Sequence, residues 1–427
     1  GMLHDASLEV ERQIRRELDK DHSDYYAGKL EEAAQRGPDE IMTTVYAIVS
    51  HSASGVVGKG GSGGGLVRTP PPFESIHEDD DPKKDLIFEG RHVLDTVRQA
   101  AVKANSRRQA NIPMMEWILR WTGAPSATAS PLGEGDDWVE AAINEEIFAD
   151  ALDTCRTKQS AGSDGWQCIL LRWAPRWLQE AYRQSLGQIV RERQYPPEWR
   201  EWFVTMIPKA KRDPSLFKNL RDIWLVPHGW KIVTACFSAE YKRVNAETQP
   251  HAAHGFRQLR NAAQASLVVK LQTEEAAILC QPLVRMYFDL EGFFMGVVRA
   301  VLLELEKRIG VFPEVTEAMQ ALQGEAQGRI ITAHGATRGF CVPDGTGQGC
   351  KIGPDRALLT LLPVISMMNR NVQGHRLLTR GAAGREGIRQ TWFADDSTFY
   401  PIDPFMGQMC ADVMDIYSWM SGNRVAV

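Results

Sequence analysis

The stretch Trp392-Phe393-Ala394-Asp395-Asp396-Ser397-Thr398-Phe399-Tyr400 sets the tightest limit on how this chain can fold, because two adjacent carboxylates sit between apolar, β-prone runs. The apolar alternation reverses across the acidic pair. The simplest local structure is therefore a hairpin whose tight turn carries Asp395 and Asp396 between two half-buried strands. Like charges side by side repel, so such a turn is stable where water solvates it or where a cation neutralises it. Taken alone, the dipeptide fits a solvated turn. A third carboxylate shifts the balance: Asp289 ends the apolar strand Leu283-Val284-Arg285-Met286-Tyr287-Phe288-Asp289.

With 427 residues, 43% hydrophobic and 24% charged, the chain has the make-up of an ordinary globular protein with more than one core. Its seven cysteines (Cys155, Cys168, Cys236, Cys280, Cys341, Cys350, Cys410) are scattered and contain no C-x-x-C. Neither a zinc site nor a disulfide framework is indicated, which points to a reducing, intracellular compartment, nuclear or cytoplasmic. No signal pattern is present and no apolar run approaches the roughly 18 residues of a membrane span, so no membrane partner is expected. The net charge is −5, but residues 151 to 260 hold 18 Lys and Arg against 10 Asp and Glu, an excess of +8 that leaves −13 elsewhere. A segmental excess of that size fits a surface facing phosphates.

Residues 6 to 50 carry apolar positions at helical spacing, interrupted near Arg36-Gly37-Pro38, and give a helical segment over 1–53. Residues 54–84 combine Gly58 to Gly65, Pro70-Pro71-Pro72 and Glu78-Asp79-Asp80-Asp81. That composition cannot bury a core and predicts a linker or loop. A phosphate-cradling loop would need Lys followed by Ser or Thr, and Lys59 is followed by Gly60. A helical extension over 85–135 follows through Leu94, Val97, Ala101, Met115, Ile118 and Leu119, with Trp117 and Trp121 on one face, read as core. Another helix is expected from Trp138 to Thr157, and a long apolar helix from Leu358 to Met368.

The remaining motifs come in a fixed order. Ser160-Ala161-Gly162-Ser163-Asp164-Gly165 is a turn-rich segment. Trp202 to Ile207 and Ile223 to Val226 are strand candidates joined by a basic loop, with Ile207-Pro208-Lys209 at one end and Arg221 at the other. Gly255-Phe256-Arg257, the Gly-rich loop Gly345-Thr346-Gly347-Gln348-Gly349 to Pro354, and Phe393-Ala394-Asp395-Asp396 complete the series. In this order and spacing, over roughly residues 150 to 427, the chain resembles the reverse transcriptases of non-LTR retrotransposons and the group II intron maturases. The matching family motifs are S-x-G-x-D-G, I-P-K, the Arg of R-P-I, G-F-R, G-x-x-Q-G-x-x-x-x-P and F/Y-x-D-D.

The resemblance implies an α+β right-hand polymerase, with fingers over 136–280 and a palm over 281–427 whose antiparallel sheet is flanked by helices. It implies a palm that stops before the thumb, in a longer parent protein with a thumb or endonuclease segment. The implied reaction is RNA-directed DNA synthesis on an RNA template and DNA primer with dNTPs, using Mg²⁺ or Mn²⁺ as two-metal cofactor. Asp289, Asp395 and Asp396 would be catalytic, and Asp289, Leu290 and Asp395 would hold metal. Lys209, Arg221, Phe294 and Gln348 would contact the nucleotide, with Phe294 crowding the ribose 2′ position. The chain departs from the pattern at Phe293, where a small residue is usual, at Met295, where Asp is usual, and at Asp222, where Pro is usual. These changes bear on activity more than on fold. The alternative is a weak or inactive polymerase-fold protein that binds nucleic acid as a scaffold.

Overall fold

The computed structural model describes Gly28 and residues 76–77, 86–87, 90–104, 108–135, 137–156, 160–278, 280, 282–347, 349–374 and 388–426. The expected helices of residues 6 to 50 lie outside these, apart from Gly28 in a helix. In chain order the elements are β1 (Ile76–His77), β2 (Leu86–Ile87), α1 (Gly90–Ala104), α2 (Ile112–Thr122), α3 (Trp138–Ala142), α4 (Glu145–Asp153), α5 (Cys168–Arg172) and α6 (Arg176–Glu192). Then come β3 (Glu201–Pro208), β4 (Leu220–Leu225), α7 (His228–Cys236), α8 (Ser238–Thr248), α9 (Ala262–Ile278), β5 (Met286–Glu291), α10 (Arg299–Ile309) and α11 (Pro313–Gln323). The last part holds β6 (Gln327–Thr332), β7 (Gly335–Ala336), β8 (Phe340–Cys341), α12 (Gly353–Leu359), α13 (Leu362–Asn371), β9 (Gln390–Phe393), β10 (Asp396–Phe399), α14 (Pro404–Ser421) and β11 (Arg424–Ala426).

The architecture is α+β. One sheet is antiparallel, in the order β11-β5-β10-β9; a second, mixed sheet runs β4-β3-β6-β7, with β8 also paired to β6. Strands β3 and β4 form an antiparallel hairpin from Phe203↔Leu225 to Pro208↔Leu220, while β3 runs parallel to β6. No helix among the described residues is long and apolar enough to cross a membrane.

Local chemistry explains where elements end, and where they differ from expectation. The helix expected over 138–157 is two, because Asn144 accepts from the Ile147 amide and starts α4 afresh. The apolar run expected as one helix from Leu358 to Met368 breaks at Thr360-Leu361, since Pro363 has no N–H to continue the ladder. Strand β5 begins at Met286 and continues two residues past Asp289, because β11 pairs with it from Asp289↔Ala426 to Glu291↔Arg424. Ile76, inside the segment expected to bury no core, is fully buried. Trp117 is 57% exposed rather than core. The buried stripe of α2 is Met115, Ile118 and Leu119, and Trp117 lies across the helix from it, stacked on Trp121 at 5.5 Å.

Helix α2 packs against α10, α13 and α14, so the extension before residue 135 shares the core of the antiparallel sheet's helices. Asp355, in the first turn of α12, is 7% exposed, and burial pushes its carboxyl up to about 6. A folded-state pKa above the unfolded one means the folded chain holds the proton more tightly, so stability falls as pH rises from about 4 to about 6. Asp355→Asn is expected to remove that fall and to gain about 2 kcal/mol at pH 7, a difference vanishing below about pH 4. Urea titrations of both chains across this pH range measure it.

Candidate active site

Strands β9 and β10 form the hairpin read from the sequence, with its turn one residue earlier than expected. Phe393 pairs with Asp396, so the turn residues are Ala394 and Asp395, and Asp396 opens β10. The shift follows from register: β5 pairs Phe288 with Ser397 and draws the strand start back to Asp396. Ala394 takes a φ of +58°, a conformation that suits glycine better than alanine. Surrounding contacts hold it there. The His254 amide donates to the Trp392 carbonyl and the Trp392 amide to the Ala252 carbonyl, each at 2.8 Å, which lays residues 252 to 255 along β9. A Cβ on Gly255 would collide with the Ala394 amide. Gly255→Ala is therefore expected to displace the turn and cost about 1–3 kcal/mol, read as a lowered urea midpoint.

Side chains alternate along β5: Leu290 is buried at 2%, while Tyr287, Asp289 and Glu291 are exposed on the other face. Thr398 pairs with Tyr287 and Ser397 with Phe288, so the next position brings Asp396 opposite Asp289 on the open face. Burial and then Asp396 push the Asp289 carboxyl above its ordinary range. Burial, followed by Asp289 and Asp396, does the same to Asp395. Lys209 acts on Asp289 and Arg221 on Asp395 in the opposite sense. Three carboxylates, from β5, from β10 and from the β9–β10 turn, thus share one field, faced by two cations. That excess of hard, crowded oxygen is the donor chemistry a divalent ion such as Mg²⁺ satisfies. Among the described residues, no three His, Cys, Asp or Glu side chains already form a closed ligand group. Leu290 has a hydrocarbon side chain, so it could contribute only its main-chain carbonyl.

The other motifs build the frame around this face. Lys209 donates from Nζ to the Lys218 carbonyl at 2.9 Å, and Arg221 is exposed on β4 opposite Ile207. Asp164 accepts at 2.8 Å from the first amide of α7 and contacts His228 Nδ1 at 2.5 Å. Ser163 donates to the Glu201 carbonyl, and a Cβ on Gly162 would collide with the Val226 carbonyl. The S-x-G-x-D-G motif therefore acts here as a clamp joining β3, β4 and α7. The Gly-rich loop lies against the turn after β5: Gly345 donates to the Val297 carbonyl at 2.7 Å and Thr346 to that of Phe294 at 2.9 Å. Phe294 is half-buried between Phe293, at 5.3 Å, and Phe256, at 5.6 Å. Phe293 itself is 3% exposed and turned into the core, away from the open face. Gln348 lies outside the described residues.

A cleft of 1330 Å³ adjoins the end of β5 between β3–β4, β11 and the α1–α2 connection. Lys103, Arg108, Lys209, Lys218 and Arg424 line it, against Asp222 and Glu291. It reaches Glu291 and Gly292 but not Asp289, Asp395 or Asp396, which face the open sheet surface beside it. Met295 also lines it. Arg108 and Arg424 were not found from the sequence. Arg108 is brought in by a contact spanning 236 positions, its amide donating to Asp344 at 3.2 Å, and no local pattern marks it. Compared with known protein families, the chain matches no family model.

Proposed function

We propose that this chain is the fingers and palm of a right-hand polymerase and acts as an RNA-directed DNA polymerase of the reverse-transcriptase kind. The observation that carries the reading is the cluster of Asp289 on β5, Asp396 on β10 and Asp395 in the β9–β10 turn, with Lys209 and Arg221 opposing it. Mg²⁺ or Mn²⁺ would be held by Asp289 and Asp395 with the Leu290 main chain; when bound it supplies the charge that activates a primer hydroxyl and steadies a triphosphate. Lys209 and Arg221 provide fixed positive charge where phosphate charge develops, on a strand hairpin that limits their movement. The five cations of the adjoining cleft give it sequence-independent attraction for an RNA template and DNA primer.

Met295 in place of Asp favours a second reading, a nucleic-acid scaffold with little turnover. Primer extension with dNTPs on an RNA template separates the two. Extension dependent on Mg²⁺ or Mn²⁺ supports the polymerase; RNA binding without extension favours the scaffold. Phe294→Ala is expected to admit ribonucleotides, raising their incorporation relative to dNTPs by at least about tenfold, as removal of a steric gate would. Unchanged selectivity in the same assay would make Phe294 a packing residue between Phe256 and Phe293.

A further inference from the structure

A second pocket, of 440 Å³, adjoins the end of α4 and the start of α5, and the polymerase reading makes no use of it. Cys155 and Cys168 line it together, and Arg156, Lys231 and Lys351 surround them with no acidic residue in the lining. The two cysteines bracket the clamp: Cys155 follows α4 and Cys168 opens α5, with Gly162, Ser163 and Asp164 between them. Both are free thiols, buried at 4% and 3% exposure, and the pocket is lined by both of them. Cys155 Sγ points to the Ala151 carbonyl at 3.9 Å and Cys168 Sγ to the His228 carbonyl at 3.8 Å. Lys231 Nζ donates to the Ser160 carbonyl at 2.8 Å, which holds a cation beside the pair.

We infer that Cys155 and Cys168 are an oxidisable thiol pair whose cationic pocket admits one half of an anionic disulfide, such as glutathione disulfide, and that they close into a protein disulfide across the base of the clamp. The hydrogen bond from Cys155, with Lys231 adding to it, holds the Cys168 thiol below its usual range, while Cys155 is raised and keeps its proton. With Lys231 held beside it in the pocket lining, Cys168 loses its proton and is the attacking thiolate. Its sulfur bonds to one sulfur of the glutathione disulfide, the S–S bond breaks, and one glutathione leaves as thiolate and takes up the proton lost from Cys168. Cys155 then loses its proton and attacks Cys168 Sγ, and the second glutathione leaves and takes up that proton. Two protein thiols are oxidised and one disulfide is reduced to two thiols. Cys280 and Cys341 are exposed outside this pocket and offer single sites for mixed disulfides.

The test uses the full chain carrying Cys280→Ser and Cys341→Ser, so that those exposed thiols do not compete. After incubation with glutathione disulfide in native buffer, a non-reducing tryptic digest should contain the Cys155 and Cys168 peptides joined, with two thiols lost. Adding Cys155→Ser should stop the reaction at one glutathione on Cys168. Arg156→Glu with Lys351→Glu should slow closure by glutathione disulfide and leave closure by an uncharged cyclic disulfide, such as oxidised dithiothreitol, unchanged. If the native chain keeps both thiols while the urea-unfolded chain cross-links them, the inference is overturned. Equal slowing with both oxidants would overturn recognition of the anion. None of these readouts depends on polymerase activity.

Discussion

Asp395→Ala is expected to lower RNA-templated nucleotide addition by on the order of a thousandfold or more. Under the proposed function, Asp395 in the hairpin turn and Asp289 on β5 are the two carboxylates that hold the metal. A ligand that supports transition-state charge contributes several kcal/mol, and each 1.36 kcal/mol is tenfold in rate. Stability should move the other way. Burial first, and then Asp289 and Asp396, push the Asp395 carboxyl up, so removing it relieves both its desolvation and repulsion among charges that folding brings together. The expected pattern is a collapsed single-nucleotide incorporation rate in a chain whose urea midpoint is unchanged or slightly raised. A variant that loses activity and folding together would instead mark Asp395 as a structural turn residue.

The largest loss of stability is expected from Glu306→Ala. Glu306 and Arg356 form a 2.6 Å ion pair with side chains 0% and 4% exposed. Tyr241 donates to the same carboxylate oxygen at 3.0 Å, and Arg356 Nη1 donates to Gln323 at 2.7 Å. The network joins α8, α10, α11 and α12. Removing Glu306 strands a buried guanidinium, and a broken buried pair of this kind costs about 3–5 kcal/mol. The exposed Lys307–Glu304 pair on the same helix, 3.0 Å apart, should cost less than about 1 kcal/mol when broken. Replacing Glu306 and Arg356 together by Met and Leu should recover most of the loss, because neither charge is then left without its partner. Urea denaturation of the single and double variants gives the comparison.

What could be read from the sequence was whatever rests on local chemistry. The β9–β10 hairpin and the β3–β4 hairpin follow from alternation and turn residues within a short window. The frame of the carboxylate turn did not, because the pairing that draws Asp396 into β10 comes from β5, over a hundred positions earlier. The same holds for Ile76, buried from within a Gly- and Pro-rich stretch, and for the break at Pro363, where an apolar run concealed the missing donor. Trp117 and Trp121 looked like core because spacing gives a shared face but not its direction; Trp121, partly buried, does pack against the core, while Trp117 is exposed. Arg108 at the cleft and Arg356 under Glu306 carry no local signature, since each is defined by a partner distant in the chain.

The central claim, that Asp289 and Asp395 share a divalent cation, is tested most directly by Mn²⁺ binding to the full chain, followed by electron paramagnetic resonance without nucleic acid or nucleotide. Binding to the unaltered chain that is lost in Asp289→Asn/Asp395→Asn, with folding retained, is the predicted result. Equal Mn²⁺ binding by the two chains, or none by either, would contradict it.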